Sequence, residues 1–297
     1  MNLFNNTKNT VIILVIFIVT MFATISWAKD TIRMAVTDIE GLEQLQREFG
    51  PLSEMLSKKT GFNFHLFPVA SRTVAVEAMK SKKIEFALTG PAEYVVFQSR
   101  IKTKPIVGFS RPDYFCSIIV LADSSITNAM SLKGKKVAMG SVGSTSKHLA
   151  PMQILKDNGL NPLKDVKVIH TSVKLGWEAL KRNDVAAFAT TTDKFIKLRA
   201  NEKDFEPGAF RVIARGPDLP NDILIARPDV NPDIIKEVRN VFLKHSKELI
   251  DKILKGEDNQ KYNGMKFLTN VKNKDYDYIR KMYVTCGFPQ FSKFIGD

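Results

Sequence analysis

The feature that most constrains the fold is a regular alternation of short apolar strands with amphipathic helices, which begins at residue 31. TIRMAV predicts a strand, and GLEQLQREFGPLSEMLSKKTG predicts a helix because its apolar residues recur every three or four positions up to Gly61. The strand IEFALTG and the helix PAEYVVFQSR repeat the order. The alternation predicts an α/β chain in which helices cover both faces of mostly parallel sheets.

The same alternation starts again after residue 115, from YFCSIIVLAD to DKFIKLRAN. A second α/β unit is therefore inserted into the first, and we expect strands near 115–121 and 210–226 to cross between the two. The predicted lobes are 29–117 together with 219–297, and 118–218. This arrangement is typical of a two-lobed, hinged protein, with ligands bound beyond the carboxyl ends of the strands.

The first 28 residues have the composition of a secretion signal. One lysine precedes the apolar run VIILVIFIVTMFATISWA, and the small residues Ser26 and Ala28 stand where a signal peptidase reads the chain. We expect cleavage after Ala28 and a periplasmic protein. An uncleaved membrane anchor is the alternative, because the run is close to the minimum length that spans a bilayer.

Charge and cysteine content exclude several classes of function. The formal net charge is +13, but the basic residues are spread along the chain among acidic ones, so we expect no nucleic-acid partner and a surface that attracts small anions. Cys116 and Cys286 are too far apart in sequence to suggest a disulfide framework and are interpreted as buried thiols. No histidine or cysteine cluster has metal-ligand spacing, so neither a metal nor a cofactor is expected.

The stretch GSVGSTSKHLAPMQIL places three consecutive hydroxyls, Ser144, Thr145 and Ser146, where a predicted strand gives way to a helix. One hydroxyl is enough to cap a helix. Three of them, after the permissive Gly140 and Gly143, also suit an anion, because free N–H groups and the positive end of the helix dipole converge there. A simple cap and an anion cradle are both compatible with this stretch.

The same residues argue against an enzyme. Ser144 to Lys147 fit the S-x-x-K motif of serine β-lactamases, and Lys59 to Gly61 supply K-T-G, but K-T-G precedes the serine motif instead of following it, and no S-D-N lies between them. Neither a Walker A loop nor G-x-S-x-G is present. We therefore expect a binding protein without catalysis.

Four motifs taken in order resemble one family. FGPLSEMLSKKTG, GPAEYV, DYFCSIIV and GSTSKHLAP together resemble the PhnD-like periplasmic phosphonate-, phosphite- and phosphate-binding components of ABC transporters, and the resemblance extends from Thr31 to about Phe288. It implies a type II periplasmic-binding fold of two α/β lobes joined by a two-strand hinge. It also implies closure around a small phosphorus oxyanion.

The resemblance further implies roles for individual residues. The hydroxyls of Ser144–Ser146 would hold the phosphorus oxygens. Five other positions match the family pattern less directly: His148 as an additional donor, Tyr114 as a tyrosine facing the ligand from the hinge, Tyr94 as either a ligand contact or a packing residue, and Thr192 with Asp193, next to Thr191, as selectivity residues of the second lobe.

Two departures from the family add cations to this set. Arg72 stands in a Ser71-Arg72 pair where the family commonly has Asp-Tyr, and Lys147 replaces a usual glycine. No acid occurs near Leu175 or Gly176, where an aminoalkylphosphonate would need one. We therefore expect phosphite, phosphate or an alkylphosphonate as ligand.

The predicted partner is the permease of an ABC importer, served by a monomeric binding protein. The alternative is a sensor that presents an oxyanion or a metalloid such as arsenite to a membrane histidine kinase, with the thiol of Cys116 as a ligand to the metalloid.

Overall fold

The computed structural model describes residues 30–37, 39, 41–206 and 208–291. The predicted signal, residues 1–28, lies outside this part of the chain, so its cleavage stays a prediction. Among the described residues, no helix has both the length and the apolar content needed to span a membrane.

The strands form two sheets. In spatial order the six-stranded sheet contains β11 (Phe267–Leu268), β4 (Lys104–Phe109), β10 (Asp222–Ala226), β3 (Phe86–Thr89), β1 (Thr31–Val36) and β2 (Asn63–Leu66). The five-stranded sheet contains β7 (Lys167–His170), β6 (Lys136–Met139), β8 (Ala187–Thr191), β5 (Cys116–Leu121) and β9 (Phe210–Arg215).

The helices alternate with these strands along the chain. They are α1 (Leu42–Thr60), α2 (Arg72–Lys80), α3 (Pro91–Ile101), α4 (Ala150–Asp157), α5 (Val173–Lys181), α6 (Thr192–Ala200), α7 (Pro232–Lys244), α8 (Ser246–Ile253) and α9 (Asp277–Thr285). Local signals account for several boundaries. The Ser71 side chain caps α2 by accepting from the N–H of Val74, and α1 ends at Gly61, whose φ of 78° is left-handed.

Both sheets are mixed, which corrects the expectation of mostly parallel sheets. β1 pairs with β3, and β6 with β7 and β8, in parallel. β10 is antiparallel to β3 and β4, and β5 is antiparallel to β8 and β9. The reason is topological: β5 and β10 are the first strands after the chain changes sheet, and each enters its new sheet from the opposite direction.

The chain crosses between the sheets twice, as expected, but through the links 110–115 and 216–221 instead of through the strands themselves. The two links are hydrogen-bonded to each other. The N–H of Arg111 donates to Oδ1 of Asn221 at 2.8 Å, and the N–H of Leu219 donates to the carbonyl of Tyr114 at 2.8 Å. The two links therefore run side by side between the sheets and are held together by hydrogen bonds.

The last helix, α9, contacts helices that follow strands of both sheets. The hydroxyl of Tyr283 donates to the carbonyl of Ala92 in α3 at 3.0 Å. The hydroxyl of Thr285 donates to Oε1 of Gln153 in α4 at 2.6 Å. Because α3 follows β3 and α4 follows β6, the C-terminal part of the described chain joins the two halves of the fold.

Candidate functional site

A cavity of about 590 Å³ lies where strands of both sheets end. The carboxyl ends of β1, β3, β6 and β8 reach it. The strands β5 and β10 run in the opposite direction, so their amino ends lie at the same edge of each sheet and also reach the cavity. The residues it receives from these ends are mostly polar: Thr37, Thr89, Ser141, Thr191, Tyr114 and Asp222.

The three predicted hydroxyls, Ser144, Thr145 and Ser146, all line this cavity and are all buried. The helix begins here with one wide turn, in which the N–H groups of His148 and Leu149 both donate to the carbonyl of Ser144 at 3.0 Å. The N–H groups of Thr145 and Ser146 find no acceptor among the described residues. Two backbone donors and three hydroxyls therefore face one space, which is the composition of an anion cradle.

Capping and cradling coexist in this turn. The Ser144 hydroxyl accepts from the N–H of Lys147 at 3.4 Å, as a cap does. Gly143 adopts a left-handed φ of 81° just before it. Gly140 is required by close approach, because a Cβ there would lie 2.5 Å from the Cβ of Lys147. Both glycines therefore serve the shape of the loop.

Thr145 and Ser146 also make contacts outside the cradle. The Thr145 hydroxyl oxygen accepts from the N–H of Ala92, at the start of α3, at 3.0 Å. Ser146 lies near Tyr114, and burial raises the pKa of the Tyr114 phenol to about 12. Tyr114 therefore stays protonated at neutral pH and remains a hydrogen-bond donor.

Both additional cations line the cavity. Arg72 donates through Nε to Glu93 at 2.5 Å and through Nη1 to the carbonyl of Val142, just before the cradle, at 3.3 Å. Lys147 lines the same wall beside Gly140.

His148 does not line the cavity, although the family pattern suggested an additional donor there. Its Nδ1 accepts from the N–H of Gly143 at 3.0 Å, and its ring meets that of His170 edge to face, with the centroids 4.6 Å apart. Burial, together with the neighbouring His170, lowers the pKa of His148 to about 4. The imidazole is neutral and supports the loop from behind.

The remaining predicted residues also lie outside the lining. Tyr94 is fully buried and packs on Tyr276, with ring centroids 4.2 Å apart. The Thr192 hydroxyl is 3.3 Å from that of Ser117, and Asp193 is exposed at the start of α6. In their place, Thr191 and Lys194 of the same segment line the cavity.

Sequence reasoning missed the charged floor of the cavity. Arg111 lies flat on the ring of Tyr114, with its guanidinium carbon 3.5 Å from the ring centroid, and one of its nitrogens is 3.7 Å from Asp222. The hydroxyl of Tyr262 donates to Asp222 at 2.6 Å. These residues come from three distant segments and form no local motif. Only the position of Asp222 at the start of an apolar strand offered a signal.

Acidic residues also reach the cavity. Glu93, Asp222 and Asp258 line it, and all three are distant in sequence from Leu175 and Gly176, where an aminoalkylphosphonate would need an acid. All three carry partners, because Glu93 pairs with Arg72, Asp222 accepts from Tyr262, and Asp258 accepts from Gln44 at 2.9 Å.

Two mixed sheets joined by a double crossing, with a polar cavity where their strands end, have the architecture of the type II periplasmic-binding fold. The chain matches the family model described as "ABC transporter, phosphonate, periplasmic substrate-binding protein" over residues 34–276 and belongs to that family. Its members are binding components of transporters and not enzymes, which confirms the expectation of no catalysis.

Individual relatives are distant. The chain is 24% identical over 231 residues to the "Phosphate-import protein PhnD" of Mycolicibacterium smegmatis, which covers 72% of this chain and 71% of the relative. Among solved structures, the binding component of an ABC phosphonate transporter from Pseudomonas aeruginosa gives a TM-score of 0.63 at 18% identity, covering 86% of each chain. PhnD1 from Prochlorococcus marinus in complex with methylphosphonate gives 0.64 at 17% identity, covering 87% of this chain and 98% of that one. The predicted family and α/β type II fold are confirmed.

Proposed function

We propose that the protein captures a small phosphorus oxyanion, namely phosphite, phosphate or an alkylphosphonate, and delivers it to the permease of an ABC importer in the periplasm. The observation that carries the proposal is the cradle: two unpaired backbone N–H groups and three buried hydroxyls, at Ser144–Ser146, facing one cavity. The names of the relatives, which mention phosphate import and methylphosphonate, support this ligand class.

The energies suffice for such a role. A hydrogen bond to a charged group contributes about 1.5–3 kcal/mol, and a dissociation constant of 1 µM corresponds to about 8 kcal/mol. Two N–H groups and two or three hydroxyls therefore supply enough attraction for micromolar binding after the usual costs of association. Tyr114, Arg72 and Lys147 strengthen the attraction at the rim.

The proposal includes the two lobes, 29–117 with 219–297 and 118–218, moving about the paired links. In this scheme the bonds from Ala92 to Thr145 and from Arg72 to Val142 form as the lobes close, because each joins residues of different lobes. We propose a monomer, in which one lobe pair encloses one ligand.

The sensor alternative finds no support. The family and the relatives named above do not suggest it. Cys116, the proposed thiol ligand, is completely buried and does not line the cavity, and burial raises the pKa of its thiol. A thiol held neutral and away from the ligand is poorly suited to bind a metalloid.

A thermal-shift screen with phosphite, phosphate, methylphosphonate, sulfate and arsenite tests the proposal. A ligand at a hundredfold excess over its Kd stabilises the folded state by about 2.7 kcal/mol, which raises Tm by several degrees. We expect a shift with at least one phosphorus oxyanion. The shift should vanish in the Ser144→Ala, Thr145→Ala double variant and persist in a matched pair of exposed sites, Ser125→Ala with Thr127→Ala. No shift with any phosphorus compound refutes the proposed function.

A further inference from the structure

The floor of the cavity contains a guanidinium that no described residue satisfies. The side chain of Arg111 is 13% exposed, and its Nε is buried without a hydrogen-bond partner among the described residues. Asp222, at 3.7 Å, is beyond hydrogen-bond distance and already accepts from Tyr262 at 2.6 Å. The terminal nitrogens of Arg111 have no acceptor within hydrogen-bond distance among the described residues either, so an acidic group of a ligand in the cavity can accept from them.

The position of Arg111 is fixed by stacking. Its guanidinium carbon lies 3.5 Å from the ring centroid of Tyr114, and its backbone N–H is bonded to Asn221. A planar guanidinium held in this way offers a rigid fork of donors, which matches the two oxygens of a carboxylate. Asp222 does not cancel the positive charge at the floor of the cavity, because Lys261 as well as Arg111 lies within 4.0 Å of its carboxylate.

Arg111 and the cradle are separate receptors in one cavity. Ser146 lies near Tyr114, and Arg111 lies over the face of the Tyr114 ring, so the two receptors lie on either side of that residue. The cavity of about 590 Å³ has room for about 20 water molecules at about 30 Å³ each, far more than one tetrahedral oxyanion requires. Arg111 and Tyr262 line this cavity together with the Ser144–Ser146 hydroxyls.

We propose that Arg111 binds a second acidic group of the ligand, so that the preferred ligand is a phosphonate that also carries a carboxylate on a short carbon chain. The phosphonate occupies the Ser144–Ser146 cradle, and the carboxylate accepts from the terminal nitrogens of Arg111, which lines the cavity. This inference rests on the proposed function, because it places the phosphorus group in the cradle.

Calorimetric titration of the purified protein with phosphonoacetate, methylphosphonate and acetate tests it. We expect a Kd for phosphonoacetate at least tenfold below that for methylphosphonate, and no measurable binding of acetate. Equal or weaker binding of phosphonoacetate overturns this inference and leaves the proposed function intact. No binding of any phosphorus compound, phosphate and phosphite included, overturns both.

The variant Arg111→Gln assigns the effect to this side chain. We expect its affinity for phosphonoacetate to fall at least tenfold and its affinity for methylphosphonate to change less than threefold. Equal loss for both ligands would mean that Arg111 contacts the phosphoryl group, which overturns the inference. If this variant does not fold, the relative affinities of the wild type for phosphonoacetate and methylphosphonate still test the inference.

Arg215→Gln is the matched control. Arg215 also stacks on an aromatic ring, that of Phe115, at 3.6 Å, but it is about half exposed and does not line the cavity. Both affinities should be unchanged in this variant. A loss of carboxylate preference in Arg215→Gln as large as in Arg111→Gln would trace the effect to stacking in general and overturn the assignment.

Discussion

His148 shows how a single side chain can serve a binding site without touching the ligand. Its Nδ1 must be unprotonated to accept the N–H of Gly143, and burial beside His170 keeps it so by lowering its pKa to about 4. The family pattern predicted an additional donor at this position, whereas the structure places the ring outside the cavity lining, against the loop that precedes the cradle. Sequence alone could not separate the two roles, because both require a histidine next to the hydroxyls.

Protonation of His148 should destabilise the folded state. Its pKa is about 4 when folded and 6.5 in its ordinary state, so the unfolded chain binds this proton more readily. The stabilisation is complete above pH 6.5 and is lost as the pH falls towards 4, by up to about 3 kcal/mol. We expect denaturant unfolding at pH 7, 6, 5 and 4.5 to show a smaller loss of stability in His148→Gln than in wild type.

His65→Gln is the control for this comparison, because His65 is exposed. It should follow the wild-type pH dependence. Identical pH dependence in His148→Gln and wild type would contradict the role given to His148.

At the scale of elements, sequence signals within a segment predicted most strands and helices. Features that depend on contacts between distant segments were not predicted. Ser71 and Gly61 mark helix ends by their own chemistry. The strand β4 was not predicted, and the amphipathic segment from residue 232 to 254, which the sequence pattern predicts as one helix, is divided at His245 into α7 and α8. The antiparallel direction of β5 and β10 was not predicted either, because it depends on the side from which the chain enters a sheet after crossing from the other one.

The same distinction applies to the site. The hydroxyls of Ser144–Ser146 are contiguous, so their pattern is visible in the sequence. Arg111, Asp222 and Tyr262 meet only because the two links lie side by side and because β10 runs antiparallel to its neighbours.

The loop before the cradle should tolerate no side chain at Gly140. A Cβ there would lie 2.5 Å from that of Lys147. The loop would therefore have to shift, which would also displace the backbone of Ser144–Ser146. We expect Gly140→Ala to lower stability by about 1–3 kcal/mol and ligand affinity at least tenfold, measured by thermal melting and calorimetry.

Gly50→Ala, inside α1, is the matched control. Its Cβ would meet only the flexible end of Gln46, at 3.2 Å, and it lies outside the lining of the cavity. Ligand affinity should be unchanged in this variant. Unchanged affinity in Gly140→Ala as well would contradict the role of the loop.

At the scale of the whole molecule, the two halves are connected by the paired links and by α9. If the proposed lobes rotate about the links, the contacts of α9 with helices attached to both sheets should limit that rotation.

We expect ligand to favour the compact arrangement described here. Small-angle X-ray scattering should show a smaller radius of gyration when a phosphorus oxyanion is added at a hundredfold excess over its Kd. The Ser144→Ala, Thr145→Ala double variant should show no change. A radius unaffected by a ligand that calorimetry proves to be bound would contradict closure.

The bond between Ala92 and Thr145 has a consequence for how a transporter distinguishes full carriers from empty ones. In the proposed closed form the Thr145 oxygen accepts from the N–H of Ala92, which leaves the hydroxyl hydrogen of Thr145 available to donate to a bound anion. We expect closure of the lobes and binding of the anion to be coupled through this hydroxyl. A permease that recognises only the closed form would then bind the ligand-loaded protein in preference to the ligand-free one.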